Sequence, residues 1–457
     1  MRLTSNQTLL SFSLIISLLV MSQSALATNG YYTHGLGIKN KSMAGAGTAS
    51  PDEAMAATVN PASAVLVKDA WEVGLSIFSP KRRYTASSSQ AMGNGGAFTL
   101  SEGTLDSGSE YFPIPYFGRT WHLTDDSAVA FNFYGRGGMN TDYNGGSATL
   151  EPDGPGPAPV STLPGVYGGG ATGVDLMQAF MDVTYAHQMD NVSFGIGGVF
   201  AIQRFEANGL ALFGGYTKSF AESGGTVMPT NLTNTGAETS TGFGLKVGTI
   251  INVSDAVTLA ASYQTQIKMS ELDAYADLFA EGGGFDIPST LRVGFSIAAS
   301  TALTLHADYE LTGFNNVNSV GYPIENLFGC PTAGAGGTDL ESCMGGNNGP
   351  GFGWDDVGTM KFGLSWQASP TLTLRAGYSK ADQPIAANQV LLNIIAPAVI
   401  EQHFTVGLTR QLGNDREFSA MLMVAPSNRV SGASTFDPTQ TIELEMDQLE
   451  VEFAYRF

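Results

Sequence analysis

Six basic residues, Arg136, Lys246, Lys268, Arg292, Lys361 and Arg375, sit opposite apolar stripes in alternating segments. Glu72, Asp182, Asp308, Glu310, Glu450 and Glu452 share that face. Charges on a common face have two uses. They can pair with one another across the space they enclose. Alternatively, one or two cations beside an apolar pocket can hold a carboxylate, whose charge is costly to bury unpaired. Arg136 and Lys268 are the first candidates for that second use. Lys361 and Arg375 follow, with Phe131 and Phe133 as apolar neighbours. Covalent catalysis is not indicated. The five His are His34, His122, His187, His306 and His403, and none falls in a Ser/His motif. No G-x-S-x-G, H-E-x-x-H or Walker sequence is present. Cys330 and Cys343 lie 13 apart in a Gly/Asn-rich segment and read as a loop disulfide in an oxidising compartment. Two thiols with no neighbouring His do not make a zinc site, and no cofactor is expected.

The elements that carry these residues alternate with period two. Leu372, Leu374, Ala376 and Tyr378 alternate with Thr373, Arg375, Gly377 and Ser379. Met360, Phe362, Leu364 and Trp366 alternate with Lys361, Gly363, Ser365 and Gln367. Segments of about 10–15 residues exceed a typical sandwich strand and are long enough to cross a bilayer at a tilt. Tyr263, Tyr309, Tyr378 and Tyr455 fall toward the ends of apolar faces, where an interface girdle belongs. Candidate strands are 71–84, 110–121, 127–137, 175–188, 191–206, 240–252, 256–270, 287–299, 301–313, 356–368, 370–382, 399–412, 416–428 and 443–457. That is an even set of fourteen, as a bacterial single-chain barrel requires. Short connections alternate with long ones, the last long one being 429–442. The chain ends in alternating apolar residues up to Phe457, which resembles the C-terminal signature of outer-membrane barrels recognised by their assembly machinery.

Composition agrees. The chain has 57 Gly, 26 Phe, 14% charged residues and a mean hydropathy of +0.03. A formal charge of −20, scattered along the chain, argues against nucleic acid. Arg2, the apolar run Leu9–Val20 and Ala25-Leu26-Ala27 read as a signal peptide over residues 1–27. Cleavage there would give −21, because Arg2 is the one charge removed. No later run is long and apolar enough for a spanning helix.

Before the strands stands Ser50–Val67. Ser50, Pro51 and Glu53 predict a capped helix with a capping box. It should stop at Asn60, because Pro61 disfavours helical backbone in the residue before it. Taken alone this is a capped surface helix.

Gly35-Leu36-Gly37, Ala44-Gly45-Ala46-Gly47, Asn60-Pro61-Ala62, Pro115-Tyr116-Phe117-Gly118 and Gly137–Tyr143 follow in order. Trp354-Asp355-Asp356-Val357 and Leu374-Arg375-Ala376-Gly377-Tyr378 come later. Together they resemble the FadL/TodX family of outer-membrane transporters for long-chain fatty acids and other hydrophobic compounds. The resemblance covers the mature chain. It implies a fourteen-stranded antiparallel barrel over 71–457, in the outer membrane of a Gram-negative bacterium. An N-terminal hatch (28–70) would sit in its lumen. It implies passive uptake, with hatch movement at Asn60, Pro61 and Ala62 and lateral release at a third-strand kink. Gly135, Gly137 and Gly138 would form that kink, or else mark the start of a loop. The implied partners are a fatty acid or similar hydrophobic molecule, the bilayer and lipopolysaccharide, and the implied state is a monomer.

Apolar loop residues Leu210, Leu212, Phe213, Tyr216, Phe220, Leu278, Phe279, Leu391, Leu392, Ile394 and Ile395 would form either an outer capture groove or a lid. The stretch Gly154–Pro159 lies in the expected loop 138–174. Other readings are a monoaromatic hydrocarbon or alkane channel of the same family, a barrel adhesin or surface structural protein, and, less well supported, a general porin.

Overall fold

A computed structural model describes residues 29–151 and 159–457. The signal-peptide segment and most of Gly154–Pro159 lie outside them. Fourteen antiparallel strands form the wall. They are β1 (Ala70–Ala86), β2 (Phe112–Thr124), β3 (Ser127–Asn140), β4 (Gly173–Met189), β5 (Val192–Asn208), β6 (Glu238–Asn252), β7 (Val257–Gln264, continued by Lys268–Met269), β8 (Thr290–Ala298), β9 (Leu303–Thr312), β10 (Val357–Ser369), β11 (Leu372–Ala381), β12 (Gln402–Gly413), β13 (Arg416–Ser434) and β14 (Asp437–Arg456). Each pairs with its neighbours, and β1 pairs with β14 from Glu72↔Arg456 to Ala86↔Ile442, so the sheet closes. Trp71 and Phe457 exchange backbone hydrogen bonds of 2.8 and 2.9 Å, extending that seam to the last residue.

Closure follows from the alternating pattern. On β1, Trp71, Val73, Leu75 and Ile77 are exposed on the outer face while Glu72 and Ser76 are buried inside. The same inversion, apolar outward and polar inward, recurs on β5 and β6: Phe194 and Ile196, Phe243 and Leu245 face out. Lipid accepts the apolar belt, and a closed ladder leaves no backbone group unpaired in it. At one rim the Arg119 guanidinium lies 5.0 and 4.9 Å from the Trp71 and Trp121 ring centres.

Two elements depart from the sequence reading. The expected loop 429–442 is ladder: β13 and β14 stay paired up to Ser434↔Asp437. Arg429 looked like a loop residue but forms a cross-strand pair with Glu443 and Glu445. In β7 the expected continuous strand is interrupted between Gln264 and Lys268.

Residues 29–68 fill the lumen. Helix α1 (Ile38–Lys41), helix α2 (Ala56–Val59) and a 3-10 turn (Pro61–Val65) pack on the wall. The expected helix from Ser50 is therefore much shorter. Glu53 does not reach back to Ser50. Its carboxylate accepts the Lys39 and Asn40 N–H bonds at 2.8 and 2.9 Å, capping α1, whose own N-cap Gly37 has no side chain to offer. The helix does stop before Asn60, which is extended.

Ion pairs, buried except at the exposed Asp52, seat this segment. Lys41 Nζ lies 2.6 Å from both Glu450 and Glu452, Lys39 2.6 Å from Glu417, and Arg375 2.6 Å from Asp52. Lys246 is 2.6 Å from Asp182 and donates to the Thr58 carbonyl at 2.8 Å. Small residues allow close approach. Ala57 and Ala64 meet Ala128, Ala130 and Ala186, and a Cβ on Gly377 would sit 2.1 Å from Met43 C.

Removing one partner of a fully buried pair leaves the other charge uncompensated. Lys246→Ala should destabilise the folded barrel by about 3–5 kcal/mol, read as a lowered midpoint of urea unfolding in detergent.

Candidate functional site

The functional feature is set by where wall pairing fails. The β2–β3 ladder runs from Thr124↔Ser127 to Phe117↔Phe133 and stops. Both strands continue, β2 to Phe112 and β3 to Asn140, without pairing to each other. On its other side β3 stays paired to β4 but carries a bulge. Gly135 pairs with Ala179 and Gly137 with Gln178, so Arg136 is the extra residue. A bulge bends its strand and re-aims the side chains beyond it. Here β3 turns inward and takes a new partner from the N-terminal segment. Thr33 N–H donates to the Arg136 carbonyl at 2.9 Å, and Gly138 N–H donates to the Tyr31 carbonyl at 3.1 Å. A Cβ on Gly137 would lie 2.1 Å from Gln178 Oε1 and 3.1 Å from Tyr31 Cδ2. The glycines of the expected kink thus lie at a break in the wall, although Gly137 and Gly138 still belong to the strand.

A cavity of 360 Å³ lies at this break. Its outer lining includes Phe133 and Met177, both exposed on the lipid-facing side. Its inner lining includes Tyr31, Tyr32, Met139, Met423 and Met446, with Ile395–Ala398 above. The polar contributions are few: Arg82, Arg136, Asn140, Gln178, and a floor of His34, His403, Gln448 and Glu450. His34 and His403 stack at 5.3 Å, and Glu450 is held by Lys41 and Ser76. An apolar tube with sparse polar groups suits a hydrophobic guest.

The expected site residues separate into groups. Arg136 is buried and lines the cavity. Its guanidinium lies 3.9 Å from the Tyr32 ring centre and donates to Thr290 Oγ1 at 2.8 Å and Gln264 Oε1 at 3.4 Å. Phe133 lines the outer mouth. Phe131, two residues along on the same outer face, does not line the cavity but packs on Phe117 with ring centres 6.1 Å apart. Lys361 and Arg375 face the lumen but are engaged elsewhere. Lys361 pairs with Glu310 at 3.3 Å and donates to the His34 carbonyl, and Arg375 holds Asp52.

Lys268 is a correction: it is exposed on the outer face and is not lumenal. In β7, Lys246↔Gln264 is followed by Phe243↔Lys268, a pairing displaced by one residue. One extra residue at 265–267 flips every side chain after it. Ile267 and Met269 turn inward instead.

Asn60 anchors the lumenal segment to the wall. Its side chain accepts from Ala62 N–H at 3.0 Å and donates to the Thr249 and Ala261 carbonyls at 3.1 and 3.3 Å. Gly248 and Gly195 make room: a Cβ on either would lie 2.1 Å from Asn60 Oδ1 or 2.2 Å from Pro61 C.

The apolar loop residues pack together as a cover. Leu210, Phe213, Leu278, Phe279, Leu391 and Ile394 are buried, which favours the lid over an open groove. Cys330 and Cys343 are disulfide-bonded within it, with Cα atoms 4.7 Å apart. Sequence reading missed Arg82, Tyr31 and Tyr32. Arg82 was accessible, because it has the parity of Glu72 on β1; the tyrosines precede every strand and gave no signal.

A closed wall with an apolar belt, a filled polar lumen and an apolar cavity beside the β2–β3 break fit an outer-membrane β-barrel channel for hydrophobic molecules. The family model of outer membrane protein transport proteins (OMPP1/FadL/TodX) matches residues 18–420, and the chain belongs to that family. Similar solved structures include a Pseudomonas aeruginosa FadL homologue (14% identity, TM-score 0.63, 95% of this chain and 99% of that one). The Pseudomonas putida toluene transporter TodX is also similar (16%, 0.60, 93% and 98%). So is the Ralstonia pickettii toluene transporter TbuX (16%, 0.56, 93% and 98%). At these identities the likeness is one of fold. No curated protein matches the sequence. The protein is a transport channel of the outer membrane and not an enzyme.

Two variants probe this geometry. Gly137→Leu drives a side chain into Gln178 and the passage, and should lower uptake of hydrophobic substrate with normal surface expression. Asn60→Ala strands the buried Ala62 N–H and should cost about 1–3 kcal/mol, measurable as faster loss of the compact band in heated electrophoresis.

Proposed function

We propose that the protein takes up long-chain fatty acids or similar amphipathic carboxylates. The observation that carries this is a pair of buried arginines on an apolar cavity. Among the described residues, no carboxylate oxygen lies within 4.0 Å of the Arg82 or Arg136 guanidinium. Arg136 bonds only to neutral groups and a tyrosine face. Arg82 donates to the Ser109 carbonyl at 3.4 Å and lies 6.0 Å from the Phe112 ring centre. The other buried basic residues on the lumen side, Lys39, Lys41, Lys246, Arg292, Lys361, Arg375 and Arg456, all have acidic partners. Two guanidiniums without an ion pair beside an apolar tube suit a ligand with one carboxylate and a long apolar tail.

On this reading the ligand passes the loop cover, rests with its head near the arginines and its tail against Met139, Met423 and Met446, and leaves through the β2–β3 break into the bilayer. Diffusion drives the flow and no cofactor takes part. Asn60-Pro61-Ala62 acts as the fixed foot of the lumenal segment while residues 31–33 shift at the break.

A second reading is a monoaromatic hydrocarbon, the substrate class of the toluene transporters TodX and TbuX. The aromatic lining by Tyr31, Tyr32, Phe112 and Phe133 favours it. The two differ in their need for cations. The double variant Arg82→Ala/Arg136→Ala should cut oleate uptake by about tenfold or more, the loss of one charge-assisted contact, and leave toluene uptake unchanged. Equal effects on both substrates, or none on oleate, would overturn the carboxylate reading.

A further inference from the structure

We propose that Pro113 and Pro115 hold the lateral opening by leaving β2 with no hydrogen-bond donors along the edge that faces β3. The proposal rests on reading the β2–β3 break as the exit route, and adds the residues that keep it from closing.

Extending the observed β2–β3 register beyond Phe117↔Phe133 would set Pro115 opposite Gly135 and Pro113 opposite Gly137. The β1–β2 ladder runs unbroken through Leu75↔Pro115 and Ile77↔Pro113. A proline can occupy a paired strand only where its nitrogen points away from the partner. Both nitrogens therefore face β3, in the only part of β2 that has no partner on that side. All other residues there would present an N–H to the membrane or draw β3 back into register. An unpaired N–H at this depth costs several kcal/mol, so an ordinary strand edge would zip shut.

The opposite edge is settled differently. The bulge turns the Arg136 carbonyl and the Gly138 N–H away from β4, and they are bonded to Thr33 and Tyr31. One edge has no donors, only the Pro113 and Pro115 carbonyls, and the other is occupied. A break in a membrane wall needs both conditions, since an exposed edge is otherwise a template for pairing. Gly135 completes the arrangement: a Cβ there would meet Ile114 Cγ2 at 2.9 Å, so a side chain would push into the opening.

The test replaces both prolines with a strand-forming residue that restores the donors, Pro113→Val/Pro115→Val, in the full-length protein in lipid nanodiscs and in cells. Three quantities are read: heat-resistant folding, uptake of both oleate and toluene, and hydrogen exchange of the amides introduced at 113 and 115. The expected result is a folded barrel whose uptake of both compounds falls about tenfold, equivalent to about 1.4 kcal/mol, and whose new amides exchange slowly because they pair with β3. Unchanged uptake overturns the proposal. So does fast exchange at both positions, whatever happens to uptake, because the break would then stay open without prolines. If the double variant does not fold, Pro115→Val alone is read in the same way, as it adds the donor nearest the last existing β2–β3 pair. The exchange readout does not depend on which ligand is carried, so a failed carboxylate reading leaves this test intact.

Discussion

In hydrocarbon a backbone N–H or C=O has no water to fall back on, and each unpaired group costs several kcal/mol. Most of this protein follows from that constraint. It forces the strands to close, which places β1 against β14 and carries the seam to the final residue. It also makes any sideways opening a problem in hydrogen bonding before it is a problem of shape. Where the β2–β3 ladder stops, the lumenal segment takes the Arg136 carbonyl and the Gly138 N–H of β3.

That segment is held by charge as well as backbone. Lysines and an arginine are buried against wall or lumenal carboxylates, an arrangement that costs desolvation and adds little net stability but fixes position sharply. Fixed position matters because the same chain does two jobs. At Asn60 it is bonded to β6 and β7, and at Tyr31–Thr33 it pairs with β3. Tyr31 also touches Phe285, Phe314 and Trp354 from the outer loops, with ring centres 6.3, 5.1 and 5.9 Å apart. Loop cover, lumenal segment and wall break are thus one contiguous packing unit.

The distribution of charge then separates structure from function. Nearly every lumenal cation is consumed in seating the segment. Arg82 and Arg136, at the cavity, are engaged only by neutral groups. The bulge matters here too, since it is Arg136 itself that is the inserted residue.

The period-two pattern by itself determined the strands, their number, the outward apolar belt and the lumenal side of Glu72, Asp182, Lys246, Lys361 and Arg375, because a strand has only two faces. It could also locate Asn60-Pro61 as the end of a helix. Tertiary structure decided whatever depends on pairing between strands. A single inserted residue reverses the faces beyond it, and nothing local marks the insertion. For that reason Lys268 points outward, and the inward turn at Arg136 is visible only against β4. Caps and ion pairs are decided in the same way: Glu53 serves α1 instead of its own neighbours, and Arg429 lies in a ladder instead of a loop. The partners of a backbone group or a charge lie far along the chain, and only the folded arrangement brings them within reach.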